Sequence, residues 1–309
     1  MSDQSPLIVP LMPSRRHFLS QMAVLGAGAL TTPLTLAQVA GQAPLQTQLN
    51  QLVQQMRAQR LISPIERTSW SIYDFTSREK LVSINEEVPM QAASLLKPFV
   101  AQAFFYTSRE QGARLPYTSA VRDLMVQMIQ RSGNDATNEL MRIVSRYNGN
   151  NGPQDVERVL KRWAGGVFQQ TKIVEFIPPG GRTYLNQASA RDYSRFLYAL
   201  WHNQMPQARE VLDIMGLPNN NRSTRGVPSM PADVRNYHKT GSTAMLCGTM
   251  GIIVCNTRRG GEHAYTYIGI IERSQRTDSY TTWITARSNV LRSVSNLVCL
   301  YMRDRYPIV

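Results

Sequence analysis

Ser94-Leu95-Leu96-Lys97 stands where the character of the chain changes. Before it, Trp70-Ser71-Ile72-Tyr73-Asp74 and Leu81-Val82-Ser83-Ile84 read as two short strands, joined by the turn-like Ser77-Arg78-Glu79. After it, apolar residues recur at helical spacing over 95–111, 119–131, 135–147, 153–163 and 189–203. Gly and Pro clusters at 148–153 and 178–181 punctuate these helices. Strand character returns over 236–247, 250–256 and 264–272, with Arg258–Glu262 as a Gly-containing hairpin turn. Helical periodicity over 43–60 (Leu45, Leu49, Leu52, Val53, Met56) and 281–303 brackets the whole. Strands at both ends with helices between them imply one discontinuous sheet domain, residues 44–91 plus 235–309, interrupted by a helical lobe, residues 92–234.

At 309 residues and 42% hydrophobic content the chain buries a sizeable core, which excludes disorder. The net charge of +13 is carried by arginine: 29 Arg against 5 Lys. No run of five basic residues and no basic stripe interleaved with aromatics occurs, so nucleic-acid binding is not expected. Such a charge suits a protein that works among anionic envelope polymers. His17, His202, His238 and His263 lack metal-ligand spacing, and Cys247, Cys255 and Cys299 form no CxxC pair. Neither a metal nor any other cofactor is therefore expected.

Ser14-Arg15-Arg16-His17-Phe18-Leu19 precedes a mild Ala/Gly-rich apolar stretch, Met22–Leu30, with small residues near Ala37, Ala40 and Ala43. This resembles a bacterial twin-arginine export signal spanning residues 1–43. Gln21, Thr31, Thr32 and Pro33 interrupt the stretch, so it is too short to span a membrane. The expectation is a periplasmic or extracellular, monomeric protein with no membrane span after cleavage. Cargo folded before export needs no disulfide, so buried free thiols are expected, although a Cys247–Cys255 bridge or one to Cys299 stays open.

Three short stretches carry the chemistry. In Ser94-Leu-Leu-Lys97 a serine at a helix start has a lysine one turn on, close enough to serve as its base. Ser132-Gly133-Asn134 connects two helices and can aim a hydroxyl and an amide into a cleft. Lys239-Thr240-Gly241-Ser242 begins a strand whose edge offers backbone groups to a peptide-like substrate, and whose glycine permits close approach. Each alone is weak, because a serine before a lysine is common. Two of only five lysines, however, fall in these stretches, and lysine, unlike arginine, can release its proton.

The three stretches, in this order and flanking a helical insertion, resemble the penicillin-recognising serine hydrolases: the class A β-lactamases and the related penicillin-binding DD-peptidases. The resemblance covers roughly residues 45–305, with Asn134-Asp-Ala-Thr-Asn138 and Gly152-Pro153 as supporting stretches. It implies an α+β, three-layer α/β/α fold of the β-lactamase/transpeptidase type. In that fold an antiparallel sheet is flanked by N- and C-terminal helices and carries an all-helical insertion lobe. It also implies that Ser94 forms the acyl-enzyme, with Lys97 as base or proton relay. Ser132 would pass a proton to the leaving nitrogen and Lys239 would polarise that hydroxyl. Asn134 would hold the substrate's side-chain amide. Thr240, Gly241 and Ser242 would meet the substrate carboxylate, and the N–H groups of Ser94 and Ser242 would form an oxyanion hole.

Gly133 stands where class A enzymes usually carry aspartate, and Ser94 and Ser132 are only 38 residues apart. The carboxylate that activates water in deacylation is harder to place. Leu185-Asn186 matches the family's Leu-Asn pair, but the position four before Asn186 is Arg182. Aligning through Thr171–Pro178 instead puts Ile177 there, and Glu175 is the sole carboxylate between Glu157 and Asp192. Glu175 is thus the one candidate base. The expected activity is opening of β-lactam rings by a serine hydrolase of class A β-lactamase type, acylated at Ser94. D-Ala-D-Ala carboxypeptidase or transpeptidase action with slow β-lactam turnover, and acylation without turnover, are the alternatives. The expected partner in each is a β-lactam or a D-Ala-D-Ala peptide.

Overall fold

The computed structural model describes residues 43–309. The segment read as an export signal lies outside them, apart from Ala43.

Among the described residues the first elements are α1 (Leu45–Ala58), β1 (Glu66–Asp74), β2 (Glu79–Ile84) and β3 (Met90–Gln91). The lobe follows with α2 (Lys97–Gln111), α3 (Ser119–Ile129), α4 (Asn134–Arg146), α5 (Pro153–Ala164), β4 (Gln187–Ala188), α6 (Ala190–Trp201) and α7 (Ala208–Met215). β5 (Arg235–Ser242), β6 (Leu246–Asn256), β7 (Glu262–Arg273) and α8 (Tyr280–Arg305) close the chain. The main sheet is antiparallel throughout, in the order β2-β1-β7-β6-β5.

The side-chain alternation of the central strands sets the layers. On β6, Leu246, Met250, Ile252 and Val254 face the helical lobe, while Cys247, Ile253 and Cys255 face the other way. On β7, Ala264, Ile268 and Ile270 oppose Tyr265, Tyr267 and Ile271 in the same manner. Both strands are covered on two sides, which is why their sequences read as nearly unbroken apolar runs. α1 and α8 supply the outer cover through Leu45, Leu49, Leu291, Val294 and Val298. The buried Glu66 carboxylate accepts from Trp283 Nε1 at 2.6 Å and Arg287 Nε at 2.8 Å, tying β1 to α8. On the lobe side, α2 is buried all round from Lys97 to Thr107. Its Phe99 meets Phe168, Tyr193 and Phe196 at centroid distances of 4.9, 5.2 and 4.9 Å. Truncation there to alanine is expected to cost about 3–5 kcal/mol.

The structure differs from the sequence reading at four places. Ser94 sits on a 3-10 turn, Ala93–Leu96, and the α-helix starts only at Lys97. The β5–β6 turn falls at 243–245, not after 247, because Thr243 Oγ1 accepts from both Met245 N and Leu246 N and closes it there. The gap left between the strands read at 236–247 and 250–256 is filled by β6, with Gly248 inside it and Leu95 over it: an added Cβ would lie 3.0 Å from Leu95 Cδ1. Helix α7 was not anticipated, although Ala208, Val211, Leu212 and Met215 follow helical spacing and are buried. A Cys247–Cys255 bridge is ruled out: both lie on β6, where eight residues span about 26 Å. The three thiols are free and buried.

Candidate active site

The nucleophile candidate is held by the sheet edge beneath it. Leu95 packs onto Gly241 of β5 and Gly248 of β6, and a Cβ at Gly241 would come within 2.8 Å of Leu95 Cγ. Glycine is therefore required at 241 for close approach. Ala93 takes a left-handed φ of 46°, a strained conformation for alanine, just ahead of Ser94. Ala92 N donates to Asn186 O at 2.8 Å, which fastens this turn to the segment carrying Leu185-Asn186.

Ser132 projects from the connection between α3 and α4, also at a left-handed φ of 58°. Gly133 N donates to Gln127 O at 2.8 Å, and an added Cβ at Gly133 would lie 3.1 Å from that oxygen. A larger residue at 133 would have to displace the α3 backbone, which accounts for glycine at this position.

Two buried lysines converge on Ser132. Lys97 Nζ donates to Ser132 O at 2.5 Å, to Asn134 Oδ1 at 3.0 Å and to Ser132 Oγ at 3.3 Å. Lys239 Nζ donates to Ser132 Oγ at 3.0 Å and to Thr240 O at 2.8 Å. Ser94 Oγ is not among the partners of Lys97, contrary to the simplest expectation from their spacing. Burial lowers Lys97 to a pKa of about 7. Lys239 is held well below its ordinary value by burial, then by Lys97 and Arg222. The neutral Lys97 amine has two N–H groups, enough for Ser132 O and Asn134 Oδ1, and its lone pair is left to take a hydroxyl proton.

β5 is the edge strand, so alternate backbone groups face the cleft. Thr243 N donates to Leu246 O at 2.9 Å, and by alternation Ser242 N–H points away from β6 to the open edge. Sequence reasoning missed Arg222. Its guanidinium donates to Gly241 O and Gly248 O at 2.8 Å each and to Ser242 Oγ at 2.5 Å, bracing β5 against β6. No periodicity or motif marks it, because it lies in the irregular stretch after α7.

The cleft encloses about 580 Å³ and is lined by Ser94, Ser132, Asn134, Thr240 and Ser242 together with Ile177, Gly180–Tyr184, Thr243–Ala244, Arg276–Thr277 and Tyr280. Glu175 is not in its wall. Its Oε1 accepts from Thr183 Oγ1 at 2.6 Å, Tyr184 N at 2.8 Å and Leu185 N at 2.9 Å. The candidate deacylation base is thus a staple for its own loop. The cleft holds Ile177 where the second alignment looked for a carboxylate. Among the described lining residues no Asp or Glu occurs. Among the described residues no group of His, Cys, Asp and Glu could hold a metal.

Residues 110–261 match the model of the Beta-lactamase enzyme family. PBP-A shares the fold at a TM-score of 0.63 and 20% identity, covering 84% of this chain and 96% of that one. A PBP-A variant has been solved as an acyl-enzyme complex with penicillin G. A class A β-lactamase from Bacteroides cellulosilyticus superposes at a TM-score of 0.61 and 16% identity, covering 82% of this chain and 99% of that one. A β-lactamase from Chitinophaga pinensis gives 0.62 and 14%, with 83% and 98% covered. No curated protein matches the chain. At such identities the likeness to solved structures speaks for the fold, and the family model speaks for residues 110–261. Residues 110–261 thus match the Beta-lactamase enzyme family, and the described chain has the fold shared by PBP-A and the class A β-lactamases, which is consistent with a penicillin-recognising serine hydrolase.

Proposed function

We propose that this protein is a serine acyl-transfer enzyme that takes β-lactams and D-Ala-D-Ala peptides, forms an ester at Ser94 and releases it slowly. The observation that carries the reading is the convergence of two buried lysines on Ser132 Oγ in the cleft that Ser94 also lines. In the acylation step neutral Lys97 takes the Ser94 proton as Oγ attacks the substrate carbonyl. The contact closes only when substrate is bound, as catalytic hydrogen bonds often do. The oxyanion forms between the N–H groups of Ser94 and Ser242. As the C–N bond breaks, the leaving nitrogen takes the Ser132 proton, which Lys97 replaces, while Lys239 keeps that hydroxyl polarised. Asn134 holds the amide of the acyl arm, and Thr240 and Ser242 receive the substrate carboxylate, with Arg222 fixing the Ser242 hydroxyl.

Slow release follows from the cleft wall. Hydrolysis of the ester needs a base beside the attacking water, and Ile177 and the occupied Glu175 supply none. This favours DD-peptidase-type or trapping behaviour over fast β-lactam hydrolysis. Intact-mass measurement after brief benzylpenicillin exposure tests it: an adduct lasting minutes is expected. Absence of any adduct would remove acylation, and fast nitrocefin turnover would restore β-lactam hydrolysis as the activity.

Arg15-Arg16 further support export by the twin-arginine route to the periplasm or cell exterior. Replacing both by lysine should leave the protein in the cytoplasm. Among the described residues no helix is long and apolar enough to cross a membrane. We also propose that the protein acts as a monomer, which its sedimentation would check.

A further inference from the structure

Two arginines from separate segments stand at the cleft mouth. Arg182 follows Gly180 and Gly181, whose φ values of 77° and 68° turn the loop towards the cleft. Arg276 comes from the β7–α8 connection, its guanidinium 5.8 Å from the centroid of the Tyr184 ring. Among the described residues neither has a hydrogen-bonding or carboxylate partner. Arg191, by contrast, pairs with Glu86 and Glu87, and Arg222 is fully engaged by β5 and β6.

An exposed arginine alone says little, but the backbone under Arg182 is fixed. Asn138 exchanges hydrogen bonds with Ile177 N and O, at 2.8 Å each. Glu175 Oε1 takes three more from residues 183–185, and Asn186 Oδ1 accepts from Val174 N and Glu175 N. These bonds fix where the Arg182 side chain is rooted. Its exposed guanidinium still gives up rotamer freedom when a ligand binds, which keeps the expected gain small. The loop also lies against Asn134: an added Cβ at Gly181 would sit 3.2 Å from Asn134 Nδ2. Arg182 is therefore beside the group assigned above to the acyl arm, whereas the substrate's terminal carboxylate is assigned to Thr240 and Ser242.

We infer that the acyl arm of the preferred substrate carries its own carboxylate, received by Arg182 with support from Arg276. This rests on the acyl-transfer reading. Benzylpenicillin and carbenicillin make a matched pair, because carbenicillin adds a carboxylate to the acyl arm and nothing else. The measurement is the ratio of their acylation rate constants at limiting concentration, carbenicillin over benzylpenicillin, at low ionic strength. A ratio of about 3–5 is expected, as one exposed opposite-charge contact would give. Arg182→Ala should bring it to one or below, Arg182→Lys should keep part of it, and added salt should lower it. Arg258→Ala, on the remote β6–β7 turn, controls for net charge and should keep the wild-type ratio. A wild-type ratio of one or less overturns the inference while leaving acylation standing. So does an unchanged ratio in Arg182→Ala, or an equal loss in Arg258→Ala. If neither penicillin forms an adduct, the acyl-transfer reading falls and takes this one with it.

Discussion

The side-chain amide of Asn138 and the backbone of Ile177 hold each other in both directions, Nδ2 donating to Ile177 O and Ile177 N donating to Oδ1, at 2.8 Å each. Asn138 lies four residues after Asn134 on α4, so one helix face carries both a cleft-lining amide and the clip for the loop opposite. Asn138→Ala leaves two buried backbone groups unpaired and should cost about 2–4 kcal/mol. Thermal unfolding would show this as a lowered Tm, and limited proteolysis should find cleavage within 175–186.

On the proposed acyl-transfer mechanism Lys97 sets the pH dependence of acylation. With its pKa at about 7, the adduct-forming rate should rise from pH 5.5 to 8, half-maximal near 7. The limb is a property of the coupled Lys97–Lys239 pair. Stopped-flow acylation across this range checks it, and Lys97→Arg should be nearly as inactive as Lys97→Ala. A limb unchanged in Lys97→Arg would show that another group supplies the base.

The same burial should be felt in stability. Below pH ~7 both folded and unfolded states bind the Lys97 proton, and the cost of burying the charge is fully present. Between pH ~7 and the ordinary lysine value near 10.4 the unfolded state binds more protons, so stability rises with pH. Lys97→Met should weaken that rise, seen by denaturant unfolding at pH 6 and pH 9.

Ser94→Ala should abolish the benzylpenicillin adduct while keeping the fold. Glu175→Gln retains a carbonyl oxygen for Thr183, Tyr184 and Leu185, so the adduct lifetime should not change. Ile177→Glu would put a carboxylate in the cleft wall and should shorten that lifetime by about 100-fold, the low end of general-base effects. Mass spectrometry of the three variants decides between these outcomes.

Dithiothreitol should leave the Tm unaltered, since Cys247, Cys255 and Cys299 are all free and buried. A drop would reveal a bridge.

The strands, the outer helices and most of the lobe were legible because hydrophobic period reports burial directly. What escaped was set by tertiary contact. The gap at Gly248 closes only when Leu95 is seen resting on it, and Arg222 gains meaning only from carbonyls on two strands. Spacing brought Ser94 and Lys97 together on paper, yet Lys97 turns to Ser132 and Asn134, a choice made by the α3–α4 connection. The absence of a cleft carboxylate was visible as a gap in the sequence, but the occupation of Glu175 was not.

The sheet order has a consequence for the chain during its synthesis. β1 pairs on one side with the adjacent β2 and on the other with β7, made nearly two hundred residues later. Until β5–β7 emerge, β1 offers an open edge, and Ser132 waits for the second lysine. A ribosome-bound chain lacking these strands has the serines but no working site, and its loose edge is a template for aggregation. The two lysines that meet at Ser132 therefore come together late, only once β5–β7 have been made and β7 has paired with β1.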